Sequence, residues 1–443
     1  MNQFNKSNLK LSLILTIGLM IAGCSQTPQI DTNLAGMERL LTVDITGSDS
    51  RESLETRYGG ARVVSYHPDD AYAIIKLNAV QLRSLQAADL AASEPNANTI
   101  NTPEGQVEAL SVGQDAWMSG WSSWGSGWST WGSGWSTWAT GGQDNLSAVP
   151  NAEIFKRIHL SEALNLAPRK GTGVKVAVID SGIDLNHLVF QSNLAPLSDW
   201  YDFVDKDSTP QEVSGSGSNK GYGHGTSVAG IVLQIAPKAQ IMPLRVLSSD
   251  GKGDADNVIA AIDWAVSHGA KVITLSLGTV YLKSLEASID SATKAGVFVV
   301  ASAGNTGDQN VTYPASAMSA GGSWGEMSVS VGSSDAQDRK SSFSTCGSIE
   351  MTAVGDRVFS PAPGNRAATW SGTSMAAPMV SGGFALALGE RNFSSTDLRK
   401  IGKAMSKSSD DISLNNTNYK KLLGDGRLDL ESFLNWALAS KIK

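Results

Sequence analysis

Three short segments of this chain hold the residue types that acyl-transfer chemistry needs, in the order Asp, His, Ser. Val176-Ala177-Val178-Ile179-Asp180-Ser181-Gly182 ends an apolar run on a carboxylate, and the carboxyl edge of a buried strand is where open α/β sheets gather their sites. Gly223-His224-Gly225-Thr226-Ser227-Val228-Ala229-Gly230 sets an imidazole between glycines at the start of a helix. Ser371-Gly372-Thr373-Ser374-Met375-Ala376-Ala377-Pro378 sets a hydroxyl after a glycine turn. It opens an apolar helix, with Pro378 expected in the first turn. A serine hydroxyl is a weak nucleophile until a base takes its proton. An imidazole can be that base, and a carboxylate behind it holds its tautomer and stabilises the imidazolium. Taken singly, Asp180 could merely cap a turn and His224 could be structural. The three in order within one domain make a site.

Such residues need a rigid frame. The runs 174–179, 241–247, 272–277, 297–301 and 327–331 are short and nearly all apolar, as strands buried on both faces of a parallel sheet are. Helical patterns at 227–235, 254–268 and 282–294 alternate with them, and 395–405 and 428–438 read as peripheral helices. The alternation predicts an α/β fold, a three-layer sandwich with a mostly parallel sheet, over residues 151–443. Residues 24–102 hold a smaller unit. Strands at 39–45, 61–66, 72–77 and 97–101 and helices at 49–58 and 79–88, the last with Val80, Leu82 and Leu85 inward, give a β-α-β-β-α-β order. That order predicts an α+β ferredoxin-like domain.

The three chemical segments resemble the Asp-Ser/Thr-Gly, His-Gly-Thr-x-Val-Ala-Gly and Gly-Thr-Ser-Met-Ala-x-Pro signatures of the subtilisin family. Tyr201-Asp202-Phe203-Val204-Asp205 and Gly424-Asp425-Gly426-Arg427-Leu428-Asp429 add to the likeness, which spans residues 151–443. It implies a serine endopeptidase with Asp180, His224 and Ser374 as its triad. Ala301-Ser302-Ala303-Gly304-Asn305 is similar to the family's oxyanion segment. By that likeness the Asn305 amide and the Ser374 backbone N–H would hold the oxyanion. Asn305 read alone is a turn former. The resemblance also makes Ser276-Leu277-Gly278 and Gly251-Lys252-Gly253 the strands that flank an extended peptide substrate. Binding of that kind reads backbone more than side chains, so broad specificity is expected. The upstream unit is similar in order and position to an inhibitory prodomain, which implies a self-processed zymogen with its own prodomain as a partner.

Two features depart from the family pattern. Few residues separate Gly230 from Ala236-Pro237, where many relatives insert a calcium-binding loop. No cofactor is expected, and calcium stays open. Thr312 precedes Tyr313-Pro314 where many relatives carry glycine at the floor of the primary specificity pocket. A lipase reading lacks its Gly-x-Ser-x-Gly elbow around Ser374.

The rest of the chain bears on location. Its net charge is −7 and it has no basic block, so no nucleic-acid partner is expected. Lys6 and Lys10 precede an apolar run, 11–22, that ends at Gly23-Cys24. A charged start, a short apolar stretch and small residues before the cut make a secretory signal, here 1–23. The Cys24 position resembles a bacterial lipobox and implies lipidation of its thiol. The expected location is then the bacterial cell envelope, anchored to a membrane, with release of the catalytic domain after processing between 101 and 114. Ordinary signal cleavage beside an incidental cysteine is the alternative. Cys346 would have no disulfide partner and reads as a buried small hydrophobe.

Residues 103–150 carry Trp117, Trp121, Trp124, Trp128, Trp131, Trp135 and Trp138 at spacings of four and three. Two readings stand for this repeat. It is a glycine-serine tether, or its rings seek a membrane interface, wall glycans or the catalytic domain. The second opens a function of another class, a catalytically impaired binding protein acting through the repeat. The full set of Asp180, His224, Ser374 and Asn305 argues against that.

Overall fold

The computed structural model describes residues 36–97, 99–102, 151–215, 219–318 and 325–439. Cys24, the signal segment and the tryptophan repeat lie outside the described residues.

The small N-terminal domain is built from β1 (Arg39–Asp44), α1 (Arg51–Arg57), β2 (Arg62–His67), β3 (Tyr72–Leu77), α2 (Ala79–Ser84), α3 (Ala87–Ala92) and β4 (Glu94–Pro95). Its antiparallel sheet has the order β2-β3-β1-β4, as a ferredoxin-like unit requires. Ser50 and Asn78 each form a capping box at the start of α1 and α2, which fixes where these short helices begin. Two expectations fail here. The helix predicted at 79–88 breaks at Leu85, which takes an extended conformation. The Asn78 cap then turns Gln81 and Leu82 inward and leaves Val80 73% exposed. The predicted fourth strand, 97–101, is replaced in the sheet by Glu94–Pro95. Residues Ile100–Asn101 form β5 elsewhere, against the large domain.

That domain starts with α4 (Ala152–Arg157) and α5 (Leu160–Leu166), then β6 (Lys175–Asp180), β7 (Tyr201–Asp202) and α6 (His224–Ile235). It continues with β8 (Gln240–Arg245), β9 (Lys252–Gly253), α7 (Ala255–Ser267), β10 (Val272–Leu275), α8 (Lys283–Lys294) and β11 (Phe298–Ser302). After α9 (Ala315–Met318) come β12 (Ser328–Ser334), β13 (Met351–Val354), the hairpin β14 (Val358–Ala362) and β15 (Arg366–Trp370), and α10 (Thr373–Glu390). Helices α11 (Ser395–Lys407) and α12 (Leu430–Ala437) end it. Seven strands form one sheet, β13-β12-β11-β10-β6-β8-β7, and every pairing in it is parallel.

Side chains alternate across that sheet, as the strand period demands. Val176 and Val178 enter a core with α6 and α10, while Ala177 and Ile179 enter a second core with α7 and α8. The result is the expected three-layer α/β sandwich. The small domain rests on the second core through Leu40, Val64, Tyr72 and Ile74. Glu94 accepts hydrogen bonds from the N–H groups of Lys283 and Ser284 at the start of α8. Asn96 does the same for Asp256 of α7 through its side chain, at 2.8 Å. A carboxylate at a helix N-terminus satisfies open donors and meets the positive end of the helix dipole.

Candidate active site

Asp180 is the last residue of β6, His224 the first of α6, and Ser374 the second of α10. All three are buried, at 0%, 6% and 2% exposure. Two glycines permit this convergence. Gly223 caps α6 at a φ of 92°, a region open to glycine at little cost. A Cβ on Gly225 would lie 2.1 Å from the Gly182 carbonyl oxygen, so only a hydrogen lets the helix start touch the strand end.

The His224 Nδ1 position lies 2.7 Å from Asp180 Oδ1. The same oxygen accepts the Ser181 N–H, also at 2.7 Å. Burial would lower the imidazole's affinity for a proton, but the Asp180 charge and hydrogen bond, with Glu212 adding, hold it above its ordinary value. His224 Nε2 is buried without a hydrogen-bond partner among the described residues. The Ser374 hydroxyl donates instead to the Ser276 carbonyl, at 3.5 Å. Catalytic hydrogen bonds are often long before substrate draws them together.

Pro378 lies inside α10, beyond the first turn where the sequence pattern set it. Proline has no N–H to offer the carbonyl four residues earlier, here that of Ser374. Ser276 Oγ donates to that carbonyl at 2.9 Å. The hydroxyl thus takes over a helical bond and fastens the nucleophile's backbone to the edge of the cleft.

Asn305 follows Gly304, whose φ is 111°. Its Oδ1 accepts from both the N–H and the hydroxyl of Thr373, at 2.9 and 3.0 Å. Thr373 precedes Ser374, so these bonds hold Asn305 beside the nucleophile's turn. Thr312 lies against two backbone stretches. Its Oγ1 would be 2.8 Å from a Cβ on Gly278, and its Cγ2 3.0 Å from one on Gly304.

Residues 251–253 and Gly278 pair with an extended segment of the chain itself, 100–102. Ile100 pairs with Gly253 and Asn101 with Lys252. Asn101 and Gly278 exchange backbone bonds of 2.9 and 2.8 Å, and Thr102 N–H donates to the Gly251 carbonyl at 2.8 Å. Ile100 is fully buried.

Sequence reasoning put 97–101 in the small sheet, where it reads equally well as a strand, and so missed its pairing with 252–253. It also missed Glu212, an acid in a polar loop that no periodicity marks. Helix α6 runs unbroken to Ile235. One group with metal-ligand types, His159, Asp410 and Asp429, gathers within 4.8 Å. Asp410 is ion-paired with Arg427 at 2.5 Å, and Asp429 caps α12, which accounts for both carboxylates. Cys346 is free and buried against Ile412 and Leu423.

Residues 171–421 match the model of the subtilase family. Thermitase of Thermoactinomyces vulgaris is 37% identical over 278 residues, 60% of this chain and 91% of thermitase. Subtilisin BL of Lederbergia lenta is 36% identical over 231 residues, 49% of this chain and 76% of that protein. A solved structure of a cold-adapted subtilisin-like serine proteinase matches with 33% identity and a TM-score of 0.46, covering 53% of this chain and 83% of that one. The chain belongs to the subtilase family and is a subtilisin-like serine endopeptidase.

Proposed function

We propose that Asp180, His224 and Ser374 cut peptide bonds through an acyl-enzyme, and that the chain is made as an inactive precursor held off by its own N-terminal domain. Ser374 Oγ attacks the scissile carbonyl while His224 takes its proton through Nε2 and later passes it to the leaving amine. Asp180 holds the imidazole by the Nδ1 bond and stabilises it once charged. The Asn305 amide and the Ser374 N–H receive the oxyanion.

The observation that carries the precursor reading is the strand 100–102 lying between 251–253 and 278. It engages the cleft as a substrate would, by main-chain bonds on both sides. The pairing partner Gly278 lies two residues from Ser276, whose carbonyl is 3.5 Å from Ser374 Oγ, so the strand runs beside the nucleophile. Self-processing in this proposal falls between residues 101 and 114, where the tail continues past the docked strand.

The same reading covers location. Lipid on Cys24 would hold the precursor at a membrane of the bacterial envelope, and the cut would free the catalytic domain with the tryptophan repeat at its amino end. Seven indole rings are costly to leave in water, and an interfacial layer suits them. The test is N-terminal sequencing and intact mass of wild type and Ser374→Ala expressed in a lipidating bacterium. A wild-type product beginning between residues 102 and 114, beside an uncut Ser374→Ala chain with a lipidated Cys24, is expected. A mature wild-type species that retains Cys24 overturns the release.

A further inference from the structure

Glu212 is a buried acid that the reaction above does not use. It lies in the loop between β7 and α6 and is 3% exposed. Its carboxylate collects hydrogen bonds from two segments. Ser181 Oγ donates to Oε1 at 2.5 Å. Thr226 donates to Oε2 through its hydroxyl and, at 3.3 Å, through its N–H.

Those two segments carry the triad. Ser181 follows Asp180 and gives its own N–H to that carboxylate. Thr226 lies two residues after His224. Each hydroxyl is also an acceptor: Ser181 Oγ takes the Gly225 N–H at 3.0 Å, and Thr226 Oγ1 takes the Asp184 N–H at 2.9 Å. Each has one proton to give, and both protons go to Glu212. Its own N–H donates to the Ile183 carbonyl at 2.9 Å.

We propose that Glu212 is a positioning residue for the triad, tying the strand end that bears Asp180 to the helix start that bears His224. The proposal rests on the triad reading above. The two hydroxyls donate to different oxygens of Glu212, so a carboxylate accepts both where an amide would set its NH2 against one of them. The titratable groups facing it are Asp180 on β6, His224 on α6 and Tyr222 in the loop before it. Its charge favours the protonated imidazole of His224, which gives the clamp a second, electrostatic consequence.

The test compares wild type, Glu212→Gln and Ser181→Ala, each processed to completion and checked for cooperative unfolding. Hydrolysis of a peptide substrate is followed from pH 5 to 10, with the rate of Ser374 labelling by a fluorophosphonate. Glu212→Gln should lower kcat roughly ten- to a hundredfold with KM within about twofold, since small misplacements of reacting groups are costly. The acid limb of kcat/KM should move to lower pH, because the neutral amide no longer favours the imidazolium. Ser181→Ala, which cuts one leg and keeps the charge, should lower kcat without moving that limb. A Glu212→Gln enzyme with wild-type kcat, or with lowered kcat and an unmoved acid limb, overturns the proposal. If wild type itself escapes labelling at Ser374, the triad reading fails instead.

Discussion

Asn101 and Gly278 face each other in antiparallel register and exchange both backbone hydrogen bonds. One belongs to the tail of the small domain and the other to the wall of the catalytic cleft. The exchange joins two otherwise separate features, a folded domain seated on α7 and α8 and the strands 251–253 and 278 that its tail pairs with. With Glu94 and Asn96 capping those helices just upstream, the tail has little slack, so its register against Gly278 is set by the docking.

Thr102 gives its N–H to the Gly251 carbonyl at 2.8 Å, and proline at that position has no N–H to give. One hydrogen bond contributes on the order of 1 kcal/mol. Thr102→Pro should slow self-processing about fivefold, seen as slower loss of precursor on a gel time course. An unchanged or faster rate would show that this pairing does not hold the tail for the cut.

The frame of the site was legible in the sequence for a physical reason. Strands buried on both faces must be continuously apolar, so β6 announced itself and Asp180 stood out as the polar residue at its end. Glycines at Gly223 and Gly372 marked the two helix starts in the same way. What could not be read was tertiary in origin. Glu212 owes its burial to Ser181 and Thr226, which approach it from distant parts of the chain. Ile100 could pair with either of two partners, and the helix caps at Asn96 and Glu94 decided between them. Val80 failed because its exposure depends on where the Asn78 cap starts the turn.

Asn305 is held through its oxygen by Thr373, the residue before the nucleophile, and the proposed mechanism gives its amide the oxyanion. Asn305→Ala should lower kcat by about 10²–10³, the general cost of losing one oxyanion donor, with KM little changed. Ser374→Ala should abolish hydrolysis. An Asn305→Ala enzyme that loses its effect on KM alone would remove Asn305 from the oxyanion role.

Thr312 fills space between the backbones of Gly278 and Gly304, the two walls beside Ser374. Small or medium apolar residues before the cut should be favoured over aromatic ones. Thr312→Gly should raise kcat/KM for Phe relative to Ala at that position, by roughly tenfold, since a few methylenes of room are worth 1–3 kcal/mol. A peptide library in which wild type already prefers Phe or Tyr would contradict this.

Burial pushes the Glu212 carboxyl from its ordinary 4.5 up to about 7, against the Ser181 and Thr226 hydrogen bonds, with the Asp180 charge adding to the rise. A raised value means that the fold binds the proton more tightly than the unfolded chain does. The stability this contributes is whole below about pH 4.5 and is lost as pH rises through about 7. Glutamine cannot ionise. In a Ser374→Ala background, which prevents self-digestion, Glu212→Gln should therefore gain Tm relative to its parent between pH 4.5 and 8. Parallel Tm curves across that window would mean that Glu212 does not titrate there.

Met375 follows the nucleophile directly and is almost fully buried, with its sulfur accepting the Ser227 hydroxyl at 3.3 Å. Ser227 lies on α6 three residues after His224, so this thioether touches both helices that carry the reaction. Oxidation to the sulfoxide adds a polar oxygen to a close-packed contact one residue from Ser374. Peroxide should therefore inactivate the enzyme in step with one added oxygen on the peptide that contains Met375. Met375→Leu keeps the apolar volume without the sulfur and should keep its activity under the same treatment. Equal peroxide sensitivity in the two proteins would trace the damage to another residue, and the coupling between Met375 and Ser374 would fall with it.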